Sequence, residues 1–188
     1  MKRREATGWI LKSAIFSPGL ISAIQSCRDK ISETVNLLVL DQDQFHLCNA
    51  LADTILPKTD SPSASEVRVV EFMDLLMHDV FEQEVVDSFI EGLEKFHLEC
   101  KNAEQSSFTA LNQEKKYSYL EPKDQLVMSE KYGETVPFYY TFKRLCLTIY
   151  YSSEQGVKQN LDYQPVPGAY QGDVELKTGD KIVVGNQM

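Results

Sequence analysis

The chain has 188 residues, enough for one domain with its own core, and its 43% hydrophobic and 25% charged content is ordinary for a globular protein. Its formal net charge is −9. Such a surface repels phosphate backbones and argues against nucleic acid as a partner.

Residues 1–27 read as an export signal. A basic start, Lys2-Arg3-Arg4, precedes a moderately apolar run from Trp9 to Ile24, then small residues and a cysteine. That is the order of n-region, h-region and processing site. The run contains Lys12, Ser13, Ser17, Pro18 and Gly19, which argues against a permanent membrane span of about 20 apolar residues. Low hydrophobicity beside Arg3-Arg4 points to the twin-arginine route, which carries folded cargo. Ile24-Gln25-Ser26-Cys27 is similar to a lipoprotein processing box, so Cys27 is a candidate for lipidation. Lipid attachment at one chain anchors only weakly, so stable anchoring needs several chains or a membrane-bound partner. Residues 28–188 are then expected as a single helical domain with a C-terminal tail.

The first predicted helix starts at Asp41, an N-cap with Gln44 in the capping-box position. Phe45, Cys48, Ala52 and Ile55 follow at helical spacing, and Pro57 ends the run. After a polar loop, a second helix is expected over residues 65–80, with Val69, Val70, Met73, Leu76 and Met77 on its apolar face. A third over residues 82–103 carries Val86, Phe89, Ile90, Leu93, Phe96 and Cys100 in register. Gly92 within it invites a close helix crossing. A polar connection over residues 102–117 leads to a fourth helix, capped by Ser118 with Pro122 in its first turn and stopped at Gly133. The last runs from Pro137 to about Tyr151 and is apolar over most of its circumference. The fold class is therefore all-α: a bundle of about five helices with an irregular tail rich in Gly, Pro and Tyr. Residues 174–185 read as a short β-hairpin with Thr178-Gly179-Asp180 in its turn.

The chemistry-bearing patterns are sparse. Cys48, Cys100 and Cys146 are widely spaced on apolar stripes and read as buried free thiols, with one disulfide left open in an oxidising compartment. His97 and Cys100 stand i, i+3, but two ligands do not make a structural metal site. His46 and His78 read as isolated helix residues. No phosphate loop, His-Glu-x-x-His, Gly-x-Ser-x-Gly or Cys-x-x-Cys-His sequence occurs. The chain is not expected to catalyse a reaction by itself or to bind a cofactor or metal.

Three pieces in order carry a family resemblance. They are Leu51-Ala-Asp-Thr-Ile-Leu-Pro57 with Asp60-Ser-Pro62, then Val69-Val-Glu-Phe-Met-Asp-Leu-Leu76, then Phe138-Tyr-Tyr-Thr-Phe-Lys-Arg-Leu145 running into Tyr150-Tyr-Ser-Ser-Glu154, Gly156 and Asn160. Together, behind a twin-arginine-like leader, they resemble the gluconate 2-dehydrogenase subunit 3 family, the small subunits of membrane-associated flavin-dependent dehydrogenases. Two local departures stand out. Residues 61–64 lack the glycine usual after the proline, and Gly156-Val157 replaces a Gly-Gly pair.

The resemblance implies an escort. Its partners would be a large flavin-dependent dehydrogenase subunit, the twin-arginine export machinery and a cytochrome c subunit. FAD would belong to the catalytic partner and haem to the cytochrome. The place would be the periplasm, membrane-associated through partners or a lipid anchor at Cys27. Tyr150, Tyr151, Tyr163, Pro165, Pro167 and Tyr170 are the candidate partner interface, because aromatic side chains give large contact area at modest entropy cost. The competing reading is a stand-alone exported or lipid-anchored binding protein with a ligand groove near this tail.

Overall fold

The computed structural model describes residues 36–129, 136–166, 173, 175 and 177–185. The chain divides into two units, Met1–Asn36 and Leu37–Met188, and the described residues beyond Asn36 lie in the second. Arg3, Arg4, Cys27, Pro167 and Tyr170 lie outside the described residues.

The architecture is all-α. Six helices are described: α1 (Gln42–Ile55), α2 (Val69–Asp79), α3 (Gln83–Glu104), α4 (Gln113–Ser129), α5 (Phe138–Ser152) and α6 (Glu154–Asn160). A 3-10 turn, Phe108–Ala110, sits between α3 and α4. Two short strands, β1 (Leu161–Tyr163) and β2 (Ile182–Val184), follow.

α1 begins where its capping box predicts. Asp41 Oδ1 accepts the Gln44 N–H at 2.7 Å, and Gln44 Oε1 accepts the Asp41 N–H at 3.0 Å. It ends at Ile55, ahead of Pro57. The following loop is tightly held. Asp53 Oδ1 accepts the Ser65 N–H, Glu66 pairs with Lys58, and Ala64 is fully buried. α2 starts at Val69, four residues later than expected, because residues 64–68 form a turn that leaves Arg68 at φ +60°. α3 matches its predicted span closely.

α4 starts five residues before Ser118. Asn112 supplies the cap, its Oδ1 accepting the Lys115 N–H at 2.9 Å. Pro122 therefore stands inside the helix rather than in its first turn. α5 carries the centre of the core, with Tyr139, Phe142, Cys146, Ile149 and Tyr150 buried against α1, α2, α3 and α6. Phe138 and Phe142 of α5 meet Phe89 and Phe96 of α3, and Phe96 meets Phe108 and Tyr119 edge-on. Gly92 makes the α3–α5 crossing feasible, because a Cβ there would lie 2.6 Å from the Phe138 ring.

α6 occupies sequence expected to be irregular. Ser153 caps it by accepting the Gly156 N–H at 3.0 Å. Gly156 is required in that first turn, since a Cβ would lie 2.0 Å from the Tyr150 carbonyl oxygen. The expected hairpin is corrected in one respect. Residues 178–179 do turn, with Asp180 Oδ2 accepting the Lys177 N–H, but β2 pairs with β1, and the pairing is parallel: Leu161 with Ile182, Tyr163 with Val184. The partner strand comes from after α6, 19 or more positions back, where sequence periodicity carries no pairing information.

Candidate partner-binding surfaces

The predicted interface residues separate by burial. Tyr150 is a correction: it is 2% exposed and belongs to the core. Its hydroxyl donates to the Pro62 carbonyl at 2.8 Å, and the Asn160 amide reaches that hydroxyl at 3.4 Å while donating to the Gly156 carbonyl at 2.8 Å. An aromatic ring whose one polar atom is satisfied inside has nothing to offer a partner. Tyr151, one position on, projects outward at 42% exposure and meets Tyr150 edge-on. Tyr163 and Pro165 are exposed as well.

Around Tyr163 the surface is apolar and thinly supported. β1 and β2 make a two-stranded parallel sheet of three residues each. Parallel strands are normally covered on both faces, and a lone pair of strands is marginal in water. Here Tyr163, Val166, Ile182 and Val183 are all exposed. Tyr151, Tyr163 and Pro165 thus remain candidates for contact.

A concave surface lies between α1 and α3. It is a groove of about 940 Å³. Leu47, Ala50 and Leu93 line it, with Leu98 exposed beside them and Asp43 and Glu94 among its acidic residues. His46, read from sequence as isolated, and His97, read there as i, i+3 to Cys100, both line it. Leu98 was the available signal: it falls outside the stripe of Leu93, Phe96 and Cys100 yet is large and apolar. The binding-protein reading places a groove at the tail; this one lies on α1 and α3.

His97 and Cys100 do not share surroundings. His97 lines the groove, whereas Cys100 is fully buried and its thiol reaches the Ser106 carbonyl at 3.9 Å. Cys48, Cys100 and Cys146 are free and buried. Burial pushes all three thiols upward, with lesser contributions from Asp74 at Cys48, Glu104 at Cys100 and Cys48 at Cys146. Among the described residues no group of three His, Cys, Asp or Glu is placed to hold a metal ion. No described helix is long and apolar enough to cross a membrane.

One organising residue escaped sequence reasoning. Asp74 is 2% exposed on the core side of α2. Its carboxylate accepts the backbone N–H groups of Leu38, Val39 and Leu40 at 2.7, 3.0 and 2.8 Å. A buried carboxylate is stable only with such partners. The arrangement fastens the approach to α1 onto α2. An acid standing between Met73 and Met77 was its trace in the sequence.

These features define a small all-α protein: a packed bundle with an aromatic core, an exposed apolar tail and an open groove. The chain belongs to the gluconate 2-dehydrogenase subunit 3 family, whose model matches residues 42–168, more than half of it. It is accordingly a subunit-3-like accessory chain of the gluconate dehydrogenase type. No curated protein and no solved structure matches it. The matched span runs from the first residue of α1 past β1, so the Tyr150–Pro62 tie, the Asp74 carboxylate and the Gly156 turn all fall within it.

Proposed function

We propose that this chain is the non-catalytic small subunit and escort of an exported, flavin-dependent sugar or polyol dehydrogenase. It supports export, assembly and membrane association of the catalytic flavoprotein. FAD resides in that partner, and electrons leave through a cytochrome c subunit. The leader with Arg3 and Arg4 addresses the pair to twin-arginine export, and Cys27 or the partners hold it at the membrane on the periplasmic side.

The family match over residues 42–168 carries this reading. The exposed apolar tail supports it, since a short parallel sheet bearing Tyr163, Ile182 and Val183 on its surface gains most from being covered by another protein. Replacing Tyr163 and Tyr170 with alanine tests it. Weaker co-purification of the flavoprotein, with helicity unchanged by circular dichroism, is expected. Unchanged co-purification, or lost helicity, would contradict the tail's role as the contact.

A further inference from the structure

We infer that the groove between α1 and α3 seats a basic, amphipathic segment of the flavoprotein partner, a second contact distinct from the tail; this inference rests on the accessory-subunit reading above. Both α1 and α3 pack on the 3-10 turn Phe108–Ala110, and the groove is the gap left between them. Its floor is apolar, with Leu47 and Leu93 nearly buried and Ala50 half-buried. Leu98 extends the apolar surface outward at 58% exposure.

The acidic groups around that floor are Asp41, Asp43 and Glu94; Gln44, His46 and His97 also line it, and among the described residues neither lysine nor arginine does. Asp41 is engaged in the α1 capping box. Asp43 and Glu94 have no hydrogen-bond or ion-pair partner among the described residues, and both are exposed. The Ser107 and Thr109 hydroxyls satisfy each other at 3.1 Å. What remains is an apolar trough edged by two unpaired carboxylates and by the imidazoles of His46 and His97. A small-molecule pocket fixes its ligand with convergent polar groups. A trough with a charged rim instead suits a helix or extended segment that buries apolar side chains and holds Lys or Arg outward. The chain's charge of −9 steers a cationic segment toward it.

The test uses the full chain co-purified with its partner from the native host. Leu98 is replaced by the photo-crosslinker benzoylphenylalanine, and separately Asp43→Lys and Glu94→Lys are combined. The expected crosslink is to a flavoprotein peptide in which Lys or Arg flanks apolar residues. The charge reversal should weaken association on the order of tenfold or more at low salt, with the difference shrinking as salt rises. Asp43→Asn with Glu94→Gln should give a smaller loss. A crosslink to an acidic peptide, to a second copy of this chain or to nothing overturns the inference. So does an unchanged affinity in the double reversal; if Tyr163→Ala then still loosens the complex, the accessory reading stands without the groove. If no flavoprotein accompanies the wild-type chain at all, the accessory reading itself falls.

Discussion

The Tyr150 hydroxyl and the Pro62 carbonyl, 88 positions apart, are joined by a 2.8 Å hydrogen bond that ties the core helix α5 to the loop between α1 and α2. The same hydroxyl is approached by Asn160 at the end of α6. One phenol thereby connects three separate stretches of the chain. Tyr150→Phe keeps the ring and removes the donor, leaving the Pro62 carbonyl without it. A loss of about 1–2 kcal/mol is expected in urea unfolding, with an unchanged circular dichroism spectrum. Unaltered stability would mean that the bond contributes nothing net.

Asp74 is expected to be more sensitive. Three backbone N–H groups converge on its carboxylate, and Asp74→Ala leaves them facing the α2 surface without an acceptor. The expected cost is about 2–4 kcal/mol, since bonds to a charged acceptor are the strong ones. Hydrogen exchange gives the sharper readout. The amides of residues 38–40 should lose protection before those of α5. Loss spread evenly over the molecule would show that Asp74 supports the whole core instead.

The two close approaches at glycine make a ranked pair. Gly92→Ala pushes a methyl group onto the Phe138 ring, a side chain that can shift at some cost in packing. Gly156→Ala drives it into the Tyr150 carbonyl, which is backbone and cannot yield cheaply. Thermal melting should therefore show Gly156→Ala as the more damaging change. The reverse order would contradict the described first turn of α6.

The thiols predict behaviour at alkaline pH. Burial raises Cys48 and Cys146 in the folded protein, so their contribution is complete below the unfolded thiol value of about 8.5 and declines as pH rises beyond it. Each thiol that ionises only on unfolding lowers stability by roughly 1.4 kcal/mol per pH unit there. Tyr139, raised by burial and then by its bond to Asp124, adds to the slope above about pH 10. In a Cys27→Ser chain, thiol reagents at neutral pH should label nothing until the protein unfolds. Rapid native labelling of Cys48 or Cys146 would contradict their burial.

Much of this fold was legible in the sequence, and the failures have physical causes. Asp41, Gln44 and Pro57 bound α1 through local hydrogen bonding and proline sterics, so its ends could be read directly. The start of α4 could not, because Ser118 and Pro122 imitate a cap and first turn while Asn112 does the capping. α6 was hidden because glycine in its first turn argues against a helix; only the close fit of Gly156 against Tyr150 explains it. α5 is apolar nearly all round, so periodicity alone did not distinguish Tyr150, which is core, from Tyr151, which is exposed. The groove was least legible, since α1 and α3 come together there only in the fold, and neither His46 nor His97 is unusual within its own helix.

The most direct test of the accessory role is affinity purification of the tagged full chain from its native host, under conditions that preserve membrane complexes, read by flavin absorbance and mass spectrometry. The expected result is a stoichiometric large subunit carrying flavin. A stable monomer, free of any flavoprotein at native expression levels, would contradict the account.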